Sequence, residues 1–161
     1  MCFALYAGTT KPLPRKEWRK DAPDLSVESL TERDASIRQY FSKPEVQYIG
    51  STSGCGCDFP HVMQQNGEWP IFDDVENDPA QHASDRYNRE ALVGLLRETD
   101  EKTVELYGVW NGDFSAPQAR EDVSLQRFLD SNFHFKEQGF YRVNVEGEPS
   151  VADATASKTG L

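Results

Sequence analysis

The chain has 161 residues and a formal net charge of -10, from 27 acidic and 17 basic side chains. That length suits one domain with a core of its own, and nine Phe, six Tyr and three Trp supply large apolar units for it. An acidic surface repels a phosphate backbone, which argues against nucleic acid as a general partner, and no apolar run approaches the ~18 residues that cross a membrane.

The first stretch, Cys2 to Gly8, alternates with apolar residues on both faces and predicts a central strand. It lacks the basic region and the apolar length of a secretory signal. A cytoplasmic location is therefore expected, and there three cysteines point to thiols or metal ligands rather than a disulfide framework. Residues 15–24 read as a polar loop anchored by Trp18. Leu25–Leu30 alternates as a short edge strand. Thr31 then has the character of a helix cap, with Ile37, Tyr40 and Phe41 as the buried stripe and Pro44 as the stop.

Residues 45–50 predict a strand leading into the segment Gly50-Ser51-Thr52-Ser53-Gly54-Cys55-Gly56-Cys57-Asp58-Phe59-Pro60-His61. Beyond it, Trp69 to Phe72 form an apolar knot, and Asp73, Asp74, Glu76 and Asp78 form an acidic run without the pattern of a calcium loop. Asp78 and Pro79 open the best helix, with Ala80, Ala83, Tyr87, Ala91, Leu92, Leu95 and Leu96 on one face. On this reading Asn88 and Arg89 belong to its solvated face. Residues 102–110 are a strand ending at the turn Asn111-Gly112. Residues 113–121 read as loop, and Ser124 caps a short helix. Phe133 and Phe135 pair with residues 140–145 in an expected hairpin. Residues 147–161 are small and polar and read as a disordered tail.

The element order predicts an α+β fold. We expect one mixed sheet of about five or six strands, carrying two main helices and one short helix. Residues 1–146 form the domain and 147–161 the tail.

Reactive side chains concentrate between Gly50 and His61. Zinc takes thiolate and imidazole ligands in a tetrahedron. Cys55, Cys57 and His61 supply three donors on one glycine-rich loop, and Cys2 is the fourth by count. That set carries a condition. If the strand after Cys2 and the strand before Cys55 run antiparallel, their cysteines share one sheet end. If they run parallel, a six-residue strand separates them by roughly 20 Å.

The site is thus read first as zinc or a similar thiophilic metal. The second reading is thiol chemistry, with Cys55 or Cys57 as nucleophile and His61 or His82 as base. A third is an anion cradle, disfavoured by Asp58 and by the absence of a P-loop Lys. The last is a purely structural bend in a non-catalytic interaction module. A small-molecule or protein partner is not specified, and oligomerisation is left open.

Three stretches, Met1-Cys2-x-Ala4-Leu5-Tyr6, Lys43-Pro44-x-Val46-x-Tyr48-x-Gly50-Ser51 and Gly54-Cys55-Gly56-Cys57-x-Phe59, resemble a group of small uncharacterised bacterial proteins. The resemblance implies a bacterial cytosolic protein. It carries no activity and no residue roles.

Overall fold

The computed structural model describes residues 2–62 and 78–146. Six strands form one sheet: β1 (Phe3–Thr9), β2 (Ser26–Ser29), β3 (Glu45–Gly50), β5 (Thr103–Trp110), β6 (Ala119–Ser124) and β8 (Gly139–Asn144). Their order is β2-β3-β1-β5-β8-β6. Two short strands, β4 (His61–Val62) and β7 (Phe135–Lys136), pair in parallel beside it. The fold is α+β with a mixed sheet.

β1 is buried along its whole length, as a strand apolar on both faces should be. Phe3, Leu5 and Ala7 enter one core with Leu92, Val93 and Leu96 of the helix α1 (Pro79–Arg97). Ala4 and Tyr6 face a second core with Ile37, Val46 and Tyr107. β1 runs antiparallel to both neighbours, with Leu5 opposite Ile49 of β3 and Phe3 opposite Trp110 of β5. The start of β1 therefore lies beside the end of β3.

Among the described residues α1 is the only α-helix; the other two expected helices are 3-10 turns, at Ala35–Tyr40 and Leu125–Leu129. The first differs because Thr31 does not cap it. The Asp34 carboxylate accepts from Thr31 N at 2.6 Å and from Thr31 Oγ1 at 3.0 Å, closing a tight turn ahead of Ala35. Phe41 is already extended, so six residues remain, and a run that short gains little from α-helical nucleation.

Three further expectations change. β6 occupies part of the expected loop 113–121, and it is the parallel partner of β8. It is an edge strand whose first four residues are polar or partly exposed, so it lacks a buried alternation to recognise. The Phe133–Val145 hairpin does not form: Phe135 N donates to Pro60 O at 2.7 Å, and β7 pairs with β4. Alternation shows which face of a strand is buried, and it does not choose the partner. Finally, the buried face of α1 is rotated from the one expected. Tyr87 is 48% exposed, while Asn88 and Arg89 are buried. The apolar knot at 69–72, Asp73, Asp74 and Glu76 of the acidic run, and the expected tail 147–161 lie outside the described residues.

Candidate metal centre

The end of β3 turns at once into a hydrogen-bonded loop. Ser51 is fully buried and organises it. Ser51 N donates to Cys55 O at 2.7 Å, Gly54 N donates to Ser51 O at 3.0 Å, and Asp58 N donates to Ser51 Oγ at 3.2 Å. Ser51 Oγ itself donates to Cys55 O. Gly54 adopts φ +89°, a region that favours glycine. A 3-10 turn over Gly56–Asp58 then carries the chain to the buried Phe59.

Three outside groups hold the loop in place. The Trp18 indole N–H donates to Thr52 O at 2.9 Å, and its ring covers Gly54. Asn88 of α1 accepts from Thr52 N at 3.0 Å and donates through Nδ2 to Thr52 Oγ1 at 2.9 Å. Gly56 lies against the backbone of β1, where an added Cβ would sit 2.4 Å from Phe3 O. Only a residue without a side chain permits that approach. At the other end, Asn111 N donates to Cys2 O at 2.7 Å and ties Cys2 to the end of β5.

This framework brings Cys2, Cys55 and Cys57 together. Their sulfurs all lie within 4.8 Å of one another, and each residue is partly buried. The antiparallel condition set by the sequence is met. His61 is not a member of the group. Its Nδ1 lies 2.7 Å from Phe59 O, its ring stacks on Phe3 at 4.6 Å, and its edge meets Trp110. Burial holds its pKa below the ordinary value, although the Phe59 carbonyl opposes that shift. Because a carbonyl only accepts, Nδ1 is the ring nitrogen that donates to Phe59 O. His82 lies exposed in the first turns of α1. Asp58 accepts from Thr52 Oγ1 at 3.1 Å and stands outside the group as well.

The thiols differ in how they hold their protons. At Cys55 burial acts against the thiolate. Hydrogen bonds from the Ser53 hydroxyl, the Cys57 backbone N–H and the Cys57 and Cys2 thiols outweigh it and hold the pKa below the ordinary value. At Cys57 burial, reinforced by the neighbouring Cys55 sulfur, pushes the thiol up to about 12, although the Phe3 backbone N–H donates to its sulfur. Cys55 is thus the first of this pair to ionise, and Cys57 retains its proton and shares it. Backbone N–H groups aimed at sulfur also favour metal-bound thiolates, because they offset the charge that three sulfurs concentrate.

The glycine-rich loop does not cap a helix N-terminus, since only a three-residue 3-10 turn and β4 follow it. The anion-cradle reading loses its geometry there. A separate cavity of about 610 Å³, lined among others by Tyr40, Glu105, Arg120 and Phe140, includes none of the three cysteines. Of its three carboxylates, Glu105 is held by Ser42 and by the Lys43 backbone N–H, and Glu121 pairs with Lys136 at 2.5 Å.

The sequence singled out all three cysteines. It did not show that Asn88 of α1 and Trp18 position their loop. The Thr52 contacts of both residues are long-range, and neither leaves a local pattern. No protein-family model matches the chain, and no curated protein or solved structure matches it.

Proposed function

We propose that this is a metal-binding protein whose Cys2, Cys55 and Cys57 hold zinc or a similar thiophilic ion as three thiolates. The observation that carries the reading is the convergence of three sulfurs within 4.8 Å, one from just before β1 and two from the loop after β3. With zinc–sulfur bonds of about 2.3 Å, tetrahedral ligation places sulfurs about 3.8 Å apart. Closure by less than about 1 Å brings the three into range, a movement that partly buried loop side chains make without refolding the sheet. The three sulfurs leave a fourth position on the ion for a donor outside the group.

Protein purified without added metal, reduced and then titrated with zinc, should take up one equivalent per chain. Cys2→Ser, Cys55→Ser and Cys57→Ser should each weaken uptake by at least about tenfold. Failure of the reduced wild-type chain to take up any transition metal removes the reading.

Thiol-dependent catalysis is the second reading, favoured by the lowered pKa of Cys55. It predicts that Cys55 in metal-free protein is alkylated well below pH 8.5, faster than Cys57. Equal, ordinary reactivity at the two positions counts against it.

A further inference from the structure

The same three thiols form a redox-sensitive unit, and this inference rests on the metal-binding reading above. We propose that a hydroperoxide joins Cys2 to one of the loop cysteines and thereby ejects the metal. Cys55 and Cys57 are separated by Gly56 alone, so a bond between them closes a very small, strained ring. Cys2 is free of that restriction, because it comes from the start of β1 and meets the loop through space. Its sulfur lies within 4.8 Å of both partners. It is held there by the Asn111 N–H on Cys2 O and by the seat of Gly56 on the Phe3 backbone. Both constraints act on backbone, so the juxtaposition persists when the metal leaves.

The chemistry balances with the hydroperoxide as the only oxidant. One thiolate attacks the O–O bond, becomes a sulfenic acid, and releases the alcohol, or water where the peroxide is hydrogen peroxide. The second thiol displaces the sulfenic oxygen as water and forms the disulfide. Two thiols are oxidised by two electrons and one O–O bond is reduced. A single thiol remains at the site, too few for stable ligation of zinc by sulfur. Reduction by a small thiol or a dithiol restores the set.

The test uses zinc-loaded full-length protein treated with one equivalent of hydrogen peroxide, with released zinc followed by a chromogenic chelator. Peptide mapping under non-reducing conditions then locates the bond. The expected result is release of most of the zinc together with an intramolecular disulfide from Cys2 to Cys55 or Cys57, and rebinding of zinc after a dithiol reductant. Metal-free Cys2→Ser protein, similarly treated, should form no intramolecular disulfide. Zinc retained with all three thiols intact overturns the switch while leaving the metal site standing. So does a bond between Cys55 and Cys57, or one between chains. No zinc uptake by the reduced protein at the outset overturns both.

Discussion

Gly56 and Gly94 make opposite demands on a methyl group. At Gly56 a Cβ would stand 2.4 Å from Phe3 O and 3.0 Å from Phe3 C, and these are backbone atoms that cannot swing aside. Gly56→Ala should therefore push the loop off β1, costing about 1–3 kcal/mol of stability and weakening metal uptake with it. At Gly94, on the exposed side of α1, a Cβ meets nothing within 4 Å. Gly94→Ala should stabilise the protein by about 0.5–1 kcal/mol and leave metal uptake unchanged. Denaturation midpoints and zinc titrations of the two variants check both statements. If Gly56→Ala matches the wild type in both, the contact with β1 does not hold the site. The sequence made Gly56 conspicuous between two cysteines. It could not show the strand against which Gly56 is pressed, because that contact crosses more than fifty positions.

The helix α1 is the element where sequence and structure part most clearly. Its cap was legible: Asp78 accepts from Ala80 N and Gln81 N, and Pro79 takes the first helical position. Its buried face was not. A periodicity argument assigns polar side chains to solvent, and two of them are inside. Asn88 bonds the site loop at Thr52. Arg89 donates to the carbonyls of Phe128 at 3.2 Å, Asp130 at 2.7 Å and Ser131 at 3.4 Å, and pairs with Asp85 at 2.8 Å. Buried polar groups of this kind are tolerated because every carbonyl they meet is left satisfied. The helix therefore holds the site loop through Asn88 and the segment 128–131 through Arg89. Removing Asn88 strands the Thr52 N–H, and Asn88→Ala should cost about 1–3 kcal/mol and loosen the metal loop. Arg89→Met should cost about 1–3 kcal/mol, because the Phe128 and Ser131 carbonyls lose their Arg89 donors while Asp130 O keeps the Phe133 N–H at 2.9 Å. Its effect on zinc affinity should be smaller than that of Asn88→Ala, since it anchors the segment 128–131 and not the site loop. Chemical denaturation and zinc competition of the pair separate the two roles. An Asn88→Ala variant with unchanged zinc affinity contradicts the clamp.

At the scale of the whole molecule, strand direction decides whether the centre exists. The residues of β1 and β3 showed two strands, and nothing local in either fixed their relative sense. Antiparallel pairing puts Cys2 at the same sheet end as Cys55 and Cys57. The missed edge strand β6 lies at the opposite edge of the sheet, and the β4–β7 ladder begins at His61 just past the site loop; neither changes the β1–β3 pairing. Among the described residues no helix is long and apolar enough to cross a membrane.

The centre also has a proton balance. Burial and the neighbouring Cys55 sulfur hold the pKa of the Cys57 thiol above the ordinary value, so a metal must displace its proton to gain a thiolate. Raising the pH weakens that competition, and the sign follows: zinc affinity rises with pH and binding acidifies an unbuffered solution. The dissociation constant should fall by at least about tenfold per unit between pH 6 and pH 8, the dependence expected for release of one or more protons. A pH-independent constant would mean that the ion is not held by these thiols.

X-ray absorption at the zinc edge of the loaded, reduced protein reads the ligand atoms directly. Three sulfurs at about 2.3 Å, with at most one lighter atom completing the shell, is the result expected here. A shell of nitrogen and oxygen alone, or one short of three sulfurs, would contradict a centre built by Cys2, Cys55 and Cys57.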